Sequence, residues 1–343
     1  MKSRLNIWFV FAIVALNVVG LINLIGLRSD LVFQTVIFQL VGTGSFILMS
    51  KIKPQLLEQN YKIIYVAFTF LLFVTLFAGS IRGSRRWIDF GFFQFQTSEF
   101  FKPFFICCVA AILNGPNRFS KLKLSMLFMM FVVPAAAIFL QPDLGTVIIY
   151  TLTFLSIFYF SGIPSKFTIT LGTISAALAP IGWLFLKDYQ KARITGFLNP
   201  NFDPQGITYN ITQAIIAIGA GGLLGKGLGL GTQARFRFLP EFHTDFAFAS
   251  FIEQFGFVGG FILLALFALL LFQLMQKMFL LRQDNFSYLV LVGIICMIFF
   301  EVAINIGMNV GLVPVTGVAL PFISYGGSSL LSTMLLLGIA SAL

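Results

Sequence analysis

Histidine is almost missing from this chain: its 343 residues contain one, His243. That scarcity excludes a histidine-built zinc or haem centre. With a single imidazole, no Ser/His/Asp set or Cys/His pair is available for covalent chemistry. Cysteine is scarce as well. Cys107, Cys108 and Cys296 lie in apolar segments, two of them adjacent and none with metal-ligand spacing. Neither a disulfide framework nor a metal site is implied. Charge is the third shortage. Asp, Glu, Lys and Arg make up 10% of the residues, against about 25% in a soluble domain. An ordinary globular protein is excluded, and no nucleic-acid partner is expected.

Apolar surface is what the chain has in abundance. Hydrophobic residues reach 58%, with 44 phenylalanines read as apolar filler. Runs of roughly 20 apolar residues recur along the chain, and each can cross a bilayer core of about 30 Å. Spanning helices satisfy their own backbone hydrogen bonds, which irregular chain in lipid cannot do. The composition predicts an all-α polytopic membrane protein forming a single transmembrane domain over residues 1–343. About ten spans are expected, near 7–27, 31–50, 61–79, 98–113, 124–140, 144–160, 166–186, 254–276, 287–310 and 322–342. The first run is long and has no small-residue cleavage pattern, so it is expected to remain as a span.

Lys/Arg bias sets the orientation. With Lys2 and Arg4 inside, the inner connections carry Lys51, Lys53, Lys62, Arg118, Lys121, Lys123, Lys166, Lys277 and Arg282. Both termini are then cytoplasmic. Two long connections, 80–97 and 187–253, fall outside and break the pattern. The first holds Arg82, Arg85 and Arg86. Either lipid headgroups or an anionic, phosphate-bearing substrate would account for arginines there.

The second connection, between spans 7 and 8, is too long to be structureless. It contains "ITYNITQAIIAIGAGGLLGKGLGLG", a short apolar run followed by glycines. The run suggests an interfacial or re-entrant helix. The glycines allow tight turns or close backbone approach to a ligand. "GAGGLLGKG" is not a nucleotide loop: Ala220 stands at the first glycine position and Gly227 replaces the Ser/Thr that would meet magnesium.

Charged groups within spans come next. Glu99 and Lys102 are three apart on one helix face, which favours a structural ion pair. Glu301 and Asp143 are either functional acids or polar packing contacts. Near the end, "NIGMNVGLVPVTGVALPFISYGGSS" breaks an apolar region with Pro314, Gly317, Pro321, Gly326 and Gly327. Broken helices carrying polar groups such as Ser324 and Tyr325 line cavities rather than lipid. Finally, "FLPEFHTDFAFASF" places Glu241, His243 and Asp245 at the edge of a span. Asp245 reads equally well as a helix cap or as an external base.

Taken in order, these blocks resemble the SEDS family, the shape, elongation, division and sporulation proteins of bacteria. "RRWIDFGFFQFQTSEFFK", "QPDLGT", "FLNPNFDPQGITYNITQAIIAIGAGGLLGKG", "FLPEFHTDFAFASFIEQFGF" and "LPFISYGGSS" carry the likeness over nearly the whole chain. "GTQARFRFLPE" with "RRWI" is similar to the RodA-like branch, while "GKGLGLG" leans toward the division branch. Thr97 departs from the usual proline, and Gln254 from a frequent second glutamate.

The resemblance implies a peptidoglycan glycosyltransferase of the bacterial cytoplasmic (inner) membrane, working on its outer face. It would polymerise lipid II into β-1,4 glycan strands for cell-wall elongation and rod shape. A class B penicillin-binding protein would be its crosslinking partner. A division- or sporulation-type polymerase and a lipid II flippase are the alternatives. The diphosphate of lipid II is α-linked and the product is β-linked, so one inverting displacement suffices. Asp245 is the implied general base, with Glu241 and His243 in support. Arg86, Arg193 and Lys226 are the candidates for the diphosphate, and Ser324 and Tyr325 for the substrate cavity. A divalent cation, Mg²⁺ or Mn²⁺, suits the diphosphate, but the sequence contains no dedicated metal cage.

Overall fold

The computed structural model describes residues 6–79, 84–91, 93–115, 120–199 and 207–343. Arg82, Arg118 and residues 200–206 of the quoted loop block lie outside them. The described residues form fourteen α-helices and one two-stranded sheet. Six helical segments among them are long and apolar enough to cross a bilayer, and three shorter apolar helices accompany them. The expected all-α, multi-pass membrane architecture is what the chain adopts.

The chain divides into two compact units. The first comprises Met1–Leu40, Lys187–Gln273 and Glu301–Gly326. It holds α1 (Ile7–Leu27), the start of α2 (Val32–Lys51), α9 (Asp188–Leu198), α10 (Ile207–Gly221) and α11 (Thr232–Arg235). Most of α12 (Ala247–Leu280) and the end of α13 (Asn285–Asn309) also belong to it. The second comprises Val41–Leu186, Leu274–Phe300 and Gly327–Leu343. It holds α3 (Pro54–Gln59), α4 (Tyr61–Leu76), β1 (Trp87–Asp89), β2 (Gln94–Gln96), α5 (Thr97–Asn114), α6 (Lys121–Leu140), α7 (Leu144–Phe160), α8 (Ser165–Phe185) and α14 (Gly327–Ala342).

In the second unit α5 is buried on nearly every side. Phe101 stacks on Phe68 with ring centroids 5.4 Å apart, and Phe105 meets Tyr150 at 4.8 Å. Pro103 lies inside this helix and has no N–H to give the carbonyl of Glu99. The hydroxyl of Ser332, on α14, donates to that carbonyl at 2.6 Å. This replaces the lost helical bond where lipid offers no water. Lys102 Nζ and Glu99 Oε1 lie 2.5 Å apart, both side chains largely buried. Strands β1 and β2 pair antiparallel, Trp87 opposite Gln96, within the long connection 80–97.

In the first unit α12 is not one continuous helix. Gly256, at φ 67° and ψ −171°, breaks it. The hydropathy pattern predicts a span from 254, whereas the helix begins at Ala247, so the break falls beside the expected start. The glycine-rich segment after α10 closes this break. Phe257 and Val258 N–H groups donate to Gly222 and Leu223 carbonyls at 2.9 and 3.1 Å. Lys226 and Gly227 N–H groups donate to Glu253 and Gln254 carbonyls at 2.9 and 3.0 Å. These bonds satisfy peptide groups that an interrupted helix leaves open. A Cβ at Gly225 would lie 2.1 Å from the Gln254 carbonyl oxygen, and one at Gly256 would lie 2.3 Å from that of Leu223. The glycines thus serve close backbone approach, to α12 itself. The final helix also starts later than the expected 322, at Gly327, because Pro321 and Phe322 (φ 67°) form a turn before it.

Candidate active site

Asp245 sits on the turn that enters α12. Glu241 shapes that turn from the left-handed region, at φ 50°. Its carbonyl accepts the N–H groups of Thr244 and Phe246 at 3.1 and 3.2 Å. Its carboxylate accepts the Thr244 hydroxyl at 2.9 Å. An apolar cluster that includes Leu239, Phe242, Phe246, Ala249, Met308 and Val315 packs beneath the turn.

Three successive carbonyls of this turn are each held from elsewhere in the unit. The Tyr325 N–H donates to the His243 carbonyl at 2.8 Å. The Ser324 hydroxyl donates to the Thr244 carbonyl at 2.6 Å. The side-chain amides of Asn305 and Asn309 both donate to the Asp245 carbonyl, at 3.2 and 3.1 Å. Asn309 also accepts the N–H of Ala249 at 3.0 Å, a cap supplied to α12 from α13. The sequence pattern marks Asn305 only as part of a broken apolar stretch and does not single out Asn309. A signal is nonetheless there: two asparagines four residues apart in an apolar helix share one face.

The half-buried Asp245 carboxylate faces Gly317. A Cβ at Gly317 would lie 3.6 Å from Asp245 Oδ2 and 3.7 Å from Arg193 Nη1. Acid and guanidinium therefore converge on a point that glycine leaves open. Arg193 is aimed there from α9. Its Nη1 donates to the Val315 carbonyl at 3.3 Å, and its guanidinium lies 5.7 Å from the Tyr189 ring.

Ser324 also accepts the Leu320 N–H at 2.9 Å, so its hydroxyl is built into the scaffold. The Tyr325 hydroxyl donates to Gln34 Oε1 at 2.6 Å, and its ring lies 5.8 Å from that of His243. Partial burial raises the Tyr325 hydroxyl above its ordinary pKa, which keeps it a donor. Lys226 is matched within its own segment. Its Nζ donates to Thr232 Oγ1 at 3.0 Å and lies 3.7 Å from the buried Glu253 carboxylate. Glu253 also accepts the N–H of Gln233 at 3.0 Å. Arg86, in the second unit, lies 3.5 Å from Asp143 Oδ1. Asp143 caps α7 through the Thr146 N–H and accepts Gln96 Nε2 at 3.0 Å. Among the described residues no group of three or more His, Cys, Asp or Glu side chains is placed to hold a metal ion.

Comparison with known proteins gives a consistent picture. The chain is 38% identical over 308 residues to the peptidoglycan glycosyltransferase MrdB of Escherichia coli K12, covering 88% of this chain and 82% of that protein. It superposes with a TM-score of 0.83 on a chain from a structure described as "Structural coordination of polymerization and crosslinking by a peptidoglycan synthase complex". There the identity is 27%, with 99% of this chain and 97% of that chain covered. The rod shape determining protein RodA of Thermus thermophilus aligns with a TM-score of 0.72 at 26% identity, over 98% of this chain and 96% of that one. Residues 3–343 match the FtsW/RodA/SpoVE family, described as "Cell cycle protein". A match over practically the whole length means that this chain belongs to the FtsW/RodA/SpoVE family of cell cycle proteins.

Proposed function

We propose that the chain is a peptidoglycan glycosyltransferase of the RodA-like, elongation type. It adds a membrane-anchored disaccharide diphosphate, lipid II, to a growing β-1,4 glycan. The observation that carries this reading is the convergence of Asp245 and Arg193 on the space beside Gly317. The chemistry needs a base for an attacking sugar hydroxyl and a cation for a departing diphosphate. Those two side chains supply one of each.

Asp245 takes the proton of the 4-hydroxyl as the oxygen attacks the anomeric carbon. A positioned base contributes about 10²–10⁴-fold. Arg193 offers a planar fork to diphosphate oxygens, geometry that lysine lacks. Lys226 faces the Glu253 carboxylate and binds the diphosphate less directly than Arg193, while Arg86, in the second unit, is matched with Asp143. Glu241 holds the turn, and His243 together with Tyr325 borders it. Asp245 and Glu241 alone do not make a resident metal cage. A divalent cation such as Mg²⁺ or Mn²⁺ is proposed as a companion of the substrate diphosphate. The site faces the outside of the cytoplasmic membrane, with both termini inside. The crosslinking partner is a class B penicillin-binding protein. The likeness to a chain from a peptidoglycan synthase complex that joins polymerization to crosslinking supports this reading.

The test is glycan polymerisation. Wild type and Asp245→Asn, each with a matching class B penicillin-binding protein, receive labelled lipid II and Mg²⁺. A ladder from wild type and none from the folded variant is expected. Equal ladders would remove Asp245 from the chemistry. Movement of lipid II across vesicles without any ladder would favour transport.

A further inference from the structure

A polar cavity, of about 190 Å³, opens in the first unit. Asp245, Arg193 and Gly317 are not among the residues that line it. Arg28, Arg235 and Arg237 line it together with Gly229, Gly231 and Gln254. Three guanidinium groups at one cavity are conspicuous in a chain with 22 basic residues in all. Arg28 is matched, since its Nε and Nη2 donate to Asp30 at 2.8 and 2.6 Å. Arg235 and Arg237 have no acidic partner among the described residues. Glu253, behind Gly231, gives Oε1 to Lys226, Thr232 and the Gln233 N–H, while its buried Oε2 lies against Gly231 with no hydrogen-bond partner among the described residues. Three arginines still outnumber Asp30 and this Lys226-paired acid. The cavity therefore keeps an excess of positive charge.

Its floor is rigid. Gln254 donates to Asn23 Oδ1 at 2.8 Å and accepts the Gly229 N–H at 2.9 Å. A Cβ at Gly26 would lie 1.9 Å from Gln254 Oε1 and 2.9 Å from the Gly229 nitrogen. Arg237 is held at φ 57°, a conformation that a non-glycine residue adopts at a cost. A strained arginine and two guanidinium forks without acidic partners are the ingredients of an anion site.

We infer that this cavity binds a phosphate ester, at a site separate from the one that contains Asp245. Arginine forks select tetrahedral phosphate oxygens over a lone chloride. The cavity lies at the end of the membrane-length helix α1, where phosphate arrives either as a lipid headgroup or as a free ester. Binding there is independent of the proposed polymerisation.

Two arms distinguish the sources. In the first, glycerol phosphate is titrated calorimetrically into the full chain in neutral detergent. In the second, native mass spectrometry counts phosphatidylglycerol and phosphatidylcholine retained from mixed nanodiscs. The variants are Arg235→Gln and Arg237→Gln, singly and together, with the thermal midpoint as the folding control. Loss of about tenfold in affinity per arginine is expected in at least one arm, from one charge-assisted bond each. Asp245→Asn is expected to bind like wild type. Retention of phosphatidylglycerol assigns a headgroup, and binding of glycerol phosphate alone assigns a soluble ester. Wild-type binding by the glutamine variants in both arms overturns the site, as does loss of binding in Asp245→Asn.

Discussion

Asn305 holds the main chain of Asp245, its side-chain amide donating to the Asp245 carbonyl at 3.2 Å. The same amide donates to the Val318 carbonyl at 2.8 Å, which ties the turn to the stretch of chain next to Gly317. One side chain thus sets the distance between the acid and the open space it faces. Asn305→Ala is expected to lower the polymerisation kcat by about 10–100-fold, as for a base displaced by an ångström. KM should change far less. Initial rates on labelled lipid II would check this split, and a change confined to KM would argue against a positioning role.

Arg193→Lys keeps the charge and loses the fork. It should retain more activity than Arg193→Gln, with both raising KM for lipid II and lowering kcat. The expected gap between the two variants is about tenfold. Identical rates for both variants would mean that charge at Arg193 plays no part.

Gly256→Ala should be among the most damaging substitutions in the chain. The new Cβ would lie 2.3 Å from the Leu223 carbonyl oxygen, at a backbone conformation that favours glycine. A cost above about 3 kcal/mol is expected. Thermal unfolding of the purified protein in detergent would measure it. Gly317→Ala makes the contrasting case. Its Cβ meets only ordinary contacts, at 3.6 and 3.7 Å, though at φ 75°. Activity should therefore fall by a larger factor than in variants of equal stability loss elsewhere.

Lys102→Met leaves Glu99 buried without its cation 2.5 Å away. The expected destabilisation is about 3–5 kcal/mol. Glu99→Gln combined with Lys102→Met should recover much of it, because no uncompensated charge remains. Midpoints of the single and double variants, read side by side, would decide. A double variant no better than the single would mean that the pair does more than neutralise itself.

Much of this architecture is legible in the sequence. The runs read as spans near 7–27 and 144–160 match α1 and α7 at both ends, because length and hydropathy alone decide a membrane helix. The neighbourhood of Asp245 is legible by type but not by arrangement. Ser324 and Tyr325 stand out as polar groups among apolar ones, yet nothing in the sequence says that they and Asn305 bind three consecutive carbonyls. The glycine segment shows a different limit. Glycines announce close approach, but not what approaches. Their partner is the backbone around Gly256, distant along the chain, and such pairing leaves no local trace. Lys226 shows a third limit. Its match with Glu253 depends on that same fold-back.

The break at Gly256 also acts as a depth gauge. An unbroken helix of 34 residues would be about 51 Å long at 1.5 Å per residue, far more than a hydrocarbon core of about 30 Å. The portion after the break is about 36 Å long, enough to cross with modest tilt. The shorter arm before it carries the Asp245 turn at its tip. In the proposed topology, the height of the carboxylate above the lipid is set by where the helix is cut. Reaction rate should then track bilayer thickness, since a thicker membrane lifts the sugars of an anchored substrate relative to an acid that the protein holds in place.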